Sequence, residues 1–480
     1  MTSAAEIFYD IAIIGAGPAG LAAAAEATKN GARVALLDNG VRSGGQYWRN
    51  REKDSGTGHH DWSTYQRLSA DLETHSELID YLPQHSVWHV ERRDSGFTSH
   101  ATSTSNADSR IRSRQVIVAT GAYDRQLPFP GWTLPGVFTA GAVQALLKGH
   151  GVLAGKRIAV SGTGPFLLAV AAGLVEAGAD VIGVFEAGSP LGFAKYPMAL
   201  ARNLTKMNEG REYAAVLLQN RIGYHTRTAV VAAHGDGEVA GVTIAKLDRN
   251  FGIVAGSESY LDCDTVAVGY GFTPQLELPV QLGCDTKRDI DGSLIAVVDK
   301  NQMSTIDGVY IAGEACGVSG AAASVVEGRI SGTHAAHRSS GSPADTSEID
   351  RLRRQRSVLR SFAVAMHNVF PVPRGWTEWL NEDTVICRCE EVTTAAVKTA
   401  VNELGANDAR AIKLYARPGM GLCQGRVCGY ATSCLVAECG KREPTVEDLR
   451  GIASRPIAQP ISLGQLAAGI DSNRCFDGTE

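Results

Sequence analysis

The sequence has no run of 18 apolar residues, and its longest apolar stretches are interrupted by charges such as Lys148 and Arg157. A transmembrane helix is therefore not expected. The opening residues, MTSAAEIFYD, carry neither a basic segment nor a long apolar core, which argues against a secretory signal. A basic surplus is also missing. The formal net charge is −5, so nothing points to nucleic acid. Ten cysteines in 480 residues are too few for a disulfide scaffold. Together these absences favour the cytoplasm, with membrane association at most peripheral, at the inner face.

What is present is ordinary in bulk. Hydrophobic residues make up 44% and charged residues 20%, as in soluble globular proteins. At roughly 150 residues per domain the length suggests about three domains. The 53 glycines imply many tight turns and close backbone approaches.

The stretch IFYDIAIIGAGPAGLAAAAEATKNGARVALLDNG reads as strand, turn, helix, strand. Ile11 to Ile14 form the apolar run of a buried parallel strand. Gly15, Gly17 and Gly20 fit G-x-G-x-x-G: a tight turn, a close approach to a pyrophosphate, and close helix–strand packing. Pro18 and Ala19 open the helix, whose N-terminal N–H groups suit phosphate. Asp38 ends the second strand about 20 residues on, where an acid can bond a ribose hydroxyl.

Three later stretches decide which dinucleotide. SGGQYW contains Gly44, Gly45 and Gln46, VIVATG ends in Thr120 and Gly121, and IAGEAC contains Gly313 and Glu314. With these, residues 7 to 335 resemble flavoprotein oxidoreductases of the thioredoxin-reductase type. The resemblance implies FAD in the first unit, held by the residues just named together with Val87. Glu314 stands where that family has Asp.

The pattern repeats in KRIAVSGTGPFLLAVAAGLVEAGADVIGVFE, where Gly162, Gly164 and Glu186 match Gly15, Gly17 and Asp38. Two related units, the second inserted in the first, fit this repeat. Leu167 stands where Gly20 stands in the first unit, and is expected to push the helix off the strand and crowd a pyrophosphate. The segment is either an NAD(P) site or a relic, and the degraded fingerprint favours the relic. The redox C-x-x-C of the resembled family is missing, since Cys263 and Cys284 lie far apart. Cys316 reads as a small buried thiol. Electrons must leave the flavin another way.

Cys387 and Cys389 alternate in TVICRCEEV, and an extended chain would point both to one face. Cys423 and Cys428 sit in a glycine-rich loop whose N–H groups are free to face sulfur. Arg388, Arg417 and Arg426 are expected to offset thiolate charge. Zinc competes as a reading, but C-x-C is a poor zinc spacing. The stretch resembles the bacterioferritin-associated-ferredoxin type of [2Fe–2S] domain, which implies those four cysteines as ligands. Cys434 and Cys439 lie on the next predicted helix and read as core residues.

SSGSPADTSE is a linker signal. Arg-rich EIDRLRRQRSVLRSFAVAMHNVF follows with helical character, then PVPRGWTEWL, whose tryptophans are either an interface or buried. The prolines of RPIAQPISLGQLA discourage regular structure there. The predicted division is 1–150 with 275–340 for FAD, 151–274 for the second unit, 341–380 as linker, 381–445 for the cluster and 446–480 as tail. The fold class is α/β: two Rossmann-like dinucleotide-binding domains, the second inserted in the first, plus a small C-terminal [2Fe–2S] domain.

The whole order resembles the larger subunit of hydrogen cyanide synthase, opine oxidases and heteromeric D-hydroxyproline or related amino-acid dehydrogenases. That resemblance implies a partner in the form of a smaller FAD-dependent amine-oxidising subunit. It also implies a third small subunit in some assemblies, FMN at an interface between subunits in some relatives, and a heteromer passing electrons to a respiratory or artificial acceptor. Two rivals remain: a stand-alone NAD(P)H-dependent reductase, which needs the second fingerprint to work, and a non-enzymatic cluster-carrying scaffold, which the intact first fingerprint argues against. No general base can be singled out among the twelve histidines.

Overall fold

The computed structural model describes residues 7–103, 108–341 and 346–471. The start of the N-terminus, the middle of the expected linker, Cys475 and the end of the tail lie outside the described residues. No described helix is long and apolar enough to cross a membrane.

The apolar run near the N-terminus forms the strand Phe8–Ile14, completely buried from Ile11 to Ile13. It lies between Val34–Leu37 and Asp108–Val118, parallel to both. Ile79–Leu82 extends one side of this sheet, and the antiparallel strands Gly96–Ser103 and His85–Arg93 extend the other. The last member arrives from far along the chain: Val309–Ile311 pairs in parallel with Asp108–Val118. A sheet that gains a strand after residue 300 requires the intervening chain to be an insertion.

That insertion carries a second, all-parallel sheet. Its order is Tyr224–Thr226, Asp180–Glu186, Arg157–Gly162, Thr265–Gly269, Val137–Thr139. Val137–Thr139 joins it ahead of residue 151, where the sequence places the start of the second unit. The chain leaves the first unit through Ala122–Asp124 and returns through Phe272–Pro274, and these two segments pair antiparallel. A three-stranded antiparallel sheet, Thr228–His234, Gly241–Lys246 and Ser259–Asp262, covers one side of the insertion.

Helix Ala321–Ser340 packs on helix Pro18–Lys29 through small residues. A Cβ on Gly328 would stand 2.0 Å from the Ala19 carbonyl oxygen, and one on Gly332 would stand 2.2 Å from that of Ala23. Only glycine permits this approach. The arginine-rich helix Thr346–Val369 follows, and then Trp376 and Trp379, both buried, which settles their reading as core. The Trp379 indole N–H donates to the Phe251 carbonyl at 3.0 Å.

The C-terminal part has a short strand pair, Val385–Cys387 with Val392–Thr393, and the helices Thr394–Asn402, Ala409–Ala416 and Gly429–Cys439 around a core of Ile386, Val397, Ile412 and Leu435, while the helix Val446–Ala453 packs Leu449 into the core of the first unit. The tail departs from expectation. Leu463–Asp471 is helical, because the prolines at 456 and 460 precede it and do not interrupt it. Ahead of that helix, the Ala458 N–H donates to the Trp88 carbonyl at 2.6 Å, tying the tail to the first unit.

Candidate functional site: two nucleotide cradles and a four-cysteine loop

Gly15 lies at φ +108°, a region closed to most side chains, and a Cβ on Gly20 would meet the Gly15 carbonyl oxygen at 1.7 Å. The turn and the helix are therefore locked together by glycine. Gly17 is the N-cap and Pro18 opens the helix, the position where a missing N–H costs least. Gly45 closes over Gly17, since a Cβ there would be 2.8 Å from the Gly17 Cα. The Gly44 N–H donates to the Ala16 carbonyl at 2.8 Å, holding the second glycine loop on the first.

Asp38 ends this cradle. Its Oδ1 accepts the Gly40 N–H at 3.3 Å, and its Oδ2 is buried without a partner. Burial raises its carboxyl above the ordinary range. A buried carboxylate oxygen with no donor is costly unless something supplies one, and a ribose hydroxyl is such a donor. Glu314 repeats the situation. Oε1 accepts the Gly320 N–H at 2.8 Å, while Oε2 is buried and unpartnered. Burial lifts this carboxyl to about 7. The residues present thus fit a dinucleotide such as FAD.

The other expected residues make the following contacts. Thr120 Oγ donates to the Gln275 carbonyl at 3.0 Å, and the Gln275 N–H returns to Gly121. Val87 is buried on the strand that follows the Asp38–His85 backbone contact. Gln46 is exposed. Two residues that sequence reasoning missed support Gly313. Its N–H donates to the buried Glu327 at 3.0 Å, and Arg360 holds that carboxylate at 2.6 Å. Glu327 lies on the helix that follows Gly313 and Arg360 on the helix after that, and neither is marked by a local motif. Cys316 is buried, its thiol donating to the Ile311 carbonyl at 3.2 Å.

The second cradle is closed from within. Glu186, fully buried, accepts from Thr163 Oγ at 2.9 Å, from the Gly164 N–H at 2.9 Å and from the Gly188 N–H at 2.6 Å. The acid that would meet a ribose instead occupies the glycine loop. Burial outweighs these donors and lifts its carboxyl to about 7. Leu167 is buried against Gly269, where a Cβ would be 3.2 Å from Leu167 Cδ2, so the missing side chain on the strand makes room.

The four thiols form two pairs. Cys389 and Cys423 lie 3.8 Å apart, and the Cys428 thiol hydrogen-bonds Cys387. A separation of 3.8 Å is about the edge of a tetrahedron with metal–sulfur bonds of about 2.3 Å. The strand ends at Cys387 and a turn begins, so Cys389 does not share the face of Cys387 as an extended chain would require. Cys387 and Cys428 are buried, Cys389 is exposed and Cys423 half-buried. Among the described residues, no three His, Cys, Asp or Glu side chains converge on one point that a single ion would fill. Two neighbouring thiol pairs suit a two-iron cluster, one pair to each iron.

Charge compensation comes from backbone more than from arginine. The Cys428 thiol, then the N–H groups of Gly419, Glu390 and Cys389, pull the Cys387 thiol down to about 5, although burial opposes them. The same contact and burial push Cys428 up. The expected arginines are each paired with another group: Arg417 with Glu390 at 3.2 Å, Arg388 over the Trp132 ring, and Arg426 with Glu277 at 2.9 Å. Arg426 also donates to the Cys423 carbonyl at 3.2 Å and to Tyr123 Oη at 2.8 Å, joining the loop to the first unit. Arg125 makes a second junction, 2.8 Å from Asp291 and stacked over Tyr430. Cys434 and Cys439 are half-buried and pack against core clusters, outside both thiol pairs.

Residues 9–340 match the family model for pyridine nucleotide-disulphide oxidoreductases, and residues 385–438 match a BFD-like [2Fe-2S] binding domain. An opine oxidase subunit of Rhizobium meliloti is 33% identical over 96% of this chain and 87% of its own length. Hydrogen cyanide synthase subunit HcnB of Pseudomonas aeruginosa is 31% identical over 90% of this chain and 93% of its own. The crystal structure of L-proline dehydrogenase from P. horikoshii shares the fold, with a TM-score of 0.69, 21% identity, and coverage of 96% of this chain and 80% of that one.

Proposed function

The chain belongs to the pyridine nucleotide-disulphide oxidoreductase family and carries a BFD-like [2Fe-2S] binding domain, and from that premise we propose that it is the electron-transfer subunit of a heteromeric dehydrogenase or oxidase acting on the C–N bond of an amino acid or opine. It binds FAD and a [2Fe-2S] cluster. Bound flavin exchanges electrons in pairs or singly and the cluster carries one at a time, so the protein's part is to hold and tune them.

The observation that carries this reading is the contrast between the cradles. The first leaves two buried carboxylate oxygens, on Asp38 and Glu314, without donors. The second satisfies its acid, Glu186, internally. One dinucleotide site is open and the other shut, so electrons enter from a partner and not from nicotinamide.

Gly15, Gly17, Pro18, Ala19, Gly20 and Asp38 hold the pyrophosphate and ribose of FAD. Gly44, Gly45, Gln46, Val87, Thr120, Gly121, Gly313 and Glu314 complete that site. Cys387, Cys389, Cys423 and Cys428 ligate the cluster. The units divide as 1–150 with 275–340, 151–274, 341–380, 381–445 and 446–480. The C–N bond is oxidised in a smaller flavoprotein partner, and this chain carries the electrons onward.

The test is co-purification from the native source with cofactor analysis. An amino acid or opine should then reduce the flavin and cluster of the complex, while NADH and NADPH should not. Rapid flavin bleaching by either nicotinamide in the isolated chain would establish the reductase reading instead.

A further inference from the structure

The thiol pairs differ in access, and the surface around the accessible pair is unusual. Cys389 is exposed and Cys423 half-exposed, whereas Cys387 and Cys428 are buried. The loop that supplies Cys423 and the helix before it carry Leu414, Tyr415, Met420 and Leu422, exposed by 80%, 56%, 47% and 82%. Single exposed apolar side chains are common, but four crowded into one loop and the helix before it mark an interaction site. Their arrangement follows from the fold. Helix Ala409–Ala416 buries Ile412 in the core and turns Leu414 and Tyr415 outward. The loop that follows is pinned to the cysteines, since a Cβ on Gly421 would stand 2.2 Å from Cys389 Cβ.

Charge within the loop and the helix before it has one sign, although Glu390 and Glu391 follow Cys389 directly. From Ala409 to Ala437 there is no Asp or Glu, while Arg410, Lys413, Arg417 and Arg426 are all basic. The chain as a whole carries −5, so this basic stretch runs against the overall balance. Of the four, Arg417 pairs with Glu390 and Arg426 with Glu277. Arg410 and Lys413 are exposed on the helix that presents Leu414. Such a face fits an apolar patch with an acidic rim.

We propose that the surface formed by Leu414, Tyr415, Met420 and Leu422 around Cys389 is where the smaller amine-oxidising flavoprotein docks. This rests on the function proposed above and names the partner of its cluster. Electron transfer weakens steeply with distance, so the donor's redox centre must approach the exposed thiol edge and not the buried one. Large aliphatic exposure at the centre suits a stable contact between subunits, and the basic rim sets its orientation. One electron at a time crosses the interface. The partner's reduced flavin is oxidised, the cluster side is reduced, and the protons released from the amine stay with the partner or pass to solvent.

The experiment uses the full chain co-produced with its companion flavoprotein. Leu414→Glu and Leu422→Glu are compared with Leu218→Glu, which alters a leucine equally exposed, at 80%, on the helix Leu204–Gln219. Iron content and the visible spectrum of each isolated variant confirm that the cluster is intact. Leu414→Glu and Leu422→Glu should weaken assembly by about tenfold or more, measured by sedimentation, and slow cluster reduction by amine substrate, while Leu218→Glu assembles as the unaltered chain does. Raising salt should slow association of the unaltered pair. Normal assembly and cluster reduction in both Leu414→Glu and Leu422→Glu would overturn the docking assignment and leave the proposed function standing. A self-dimer abolished by Leu422→Glu would overturn it too, giving the face to a second copy. If the unaltered chain assembles with no amine-oxidising partner, the functional reading fails and the docking assignment with it.

Discussion

Glu186 accepts the Gly164 N–H at 2.9 Å, so the second glycine loop is capped by its own acid. The matching acid of the first unit, Asp38, instead leaves Oδ2 buried and unpartnered. Two units of one pattern have taken opposite states: one is built around a missing donor, and the other has supplied its own.

Nicotinamide dinucleotides should therefore fail to bind. Calorimetry of the isolated chain with NAD+ or NADH should show affinity weaker than about 1 mM, the level of a few kcal/mol. Stopped-flow mixing with NADH should leave flavin absorbance unchanged on the timescale of turnover.

Burial lifts the Glu186 carboxyl from about 4.5 to about 7. The sign follows from linkage. Below about 4.5 the group is protonated whether folded or unfolded, and stability is unaffected. Above about 7 the fold must hold a buried charge, so stability falls as pH rises between these values, by on the order of 2–3 kcal/mol. Denaturant unfolding at about pH 5 and about pH 8 should show this loss, and Glu186→Gln should reduce it.

Asp38→Ala removes the acceptor offered to the ribose. Flavin content should drop and flavin affinity should fall by about ten- to a hundredfold, the worth of a hydrogen bond to a charged group. Absorbance at the flavin band against protein concentration measures it. Glu186→Gln, altered in the closed cradle, should keep its flavin.

Arg426 and Arg455 converge on a single buried acid, Glu277, at 2.9 and 3.7 Å. Glu277→Gln leaves the positive charge next to Cys423 uncompensated. Reduction of the cluster adds negative charge, so its midpoint potential should rise, on the order of tens of millivolts. A redox titration followed by paramagnetic resonance reads the shift, and an unchanged potential would contradict the role given to this trio.

Much of this was legible in the sequence where the chemistry is local. Gly15, Gly17, Gly20 and Asp38 lie within one strand–turn–helix–strand unit, so spacing alone exposes them. The four cysteines were legible as a group, but their pairing was not. C-x-C in an extended chain implies one shared face, whereas the turn after Cys387 sends Cys389 to Cys423. The closed state of the second cradle depends on where the Glu186 side chain turns, which spacing does not reveal, and Leu167 packs into the room left by Gly269. Arg360, Glu277 and Arg125 are hidden because each acts on a residue far away in sequence, whereas Glu327, only 14 residues past Gly313, looks like any helical acid. The helix Leu463–Asp471 was missed because prolines ahead of a helix were weighed as if they lay inside it.

The most direct measurement is metal analysis with paramagnetic resonance on the chain purified without air. The account predicts about two irons per chain and a signal that appears on one-electron reduction, with the iron lost in Cys389→Ser and kept in Cys434→Ala. A single zinc per chain, silent before and after reduction, would contradict it.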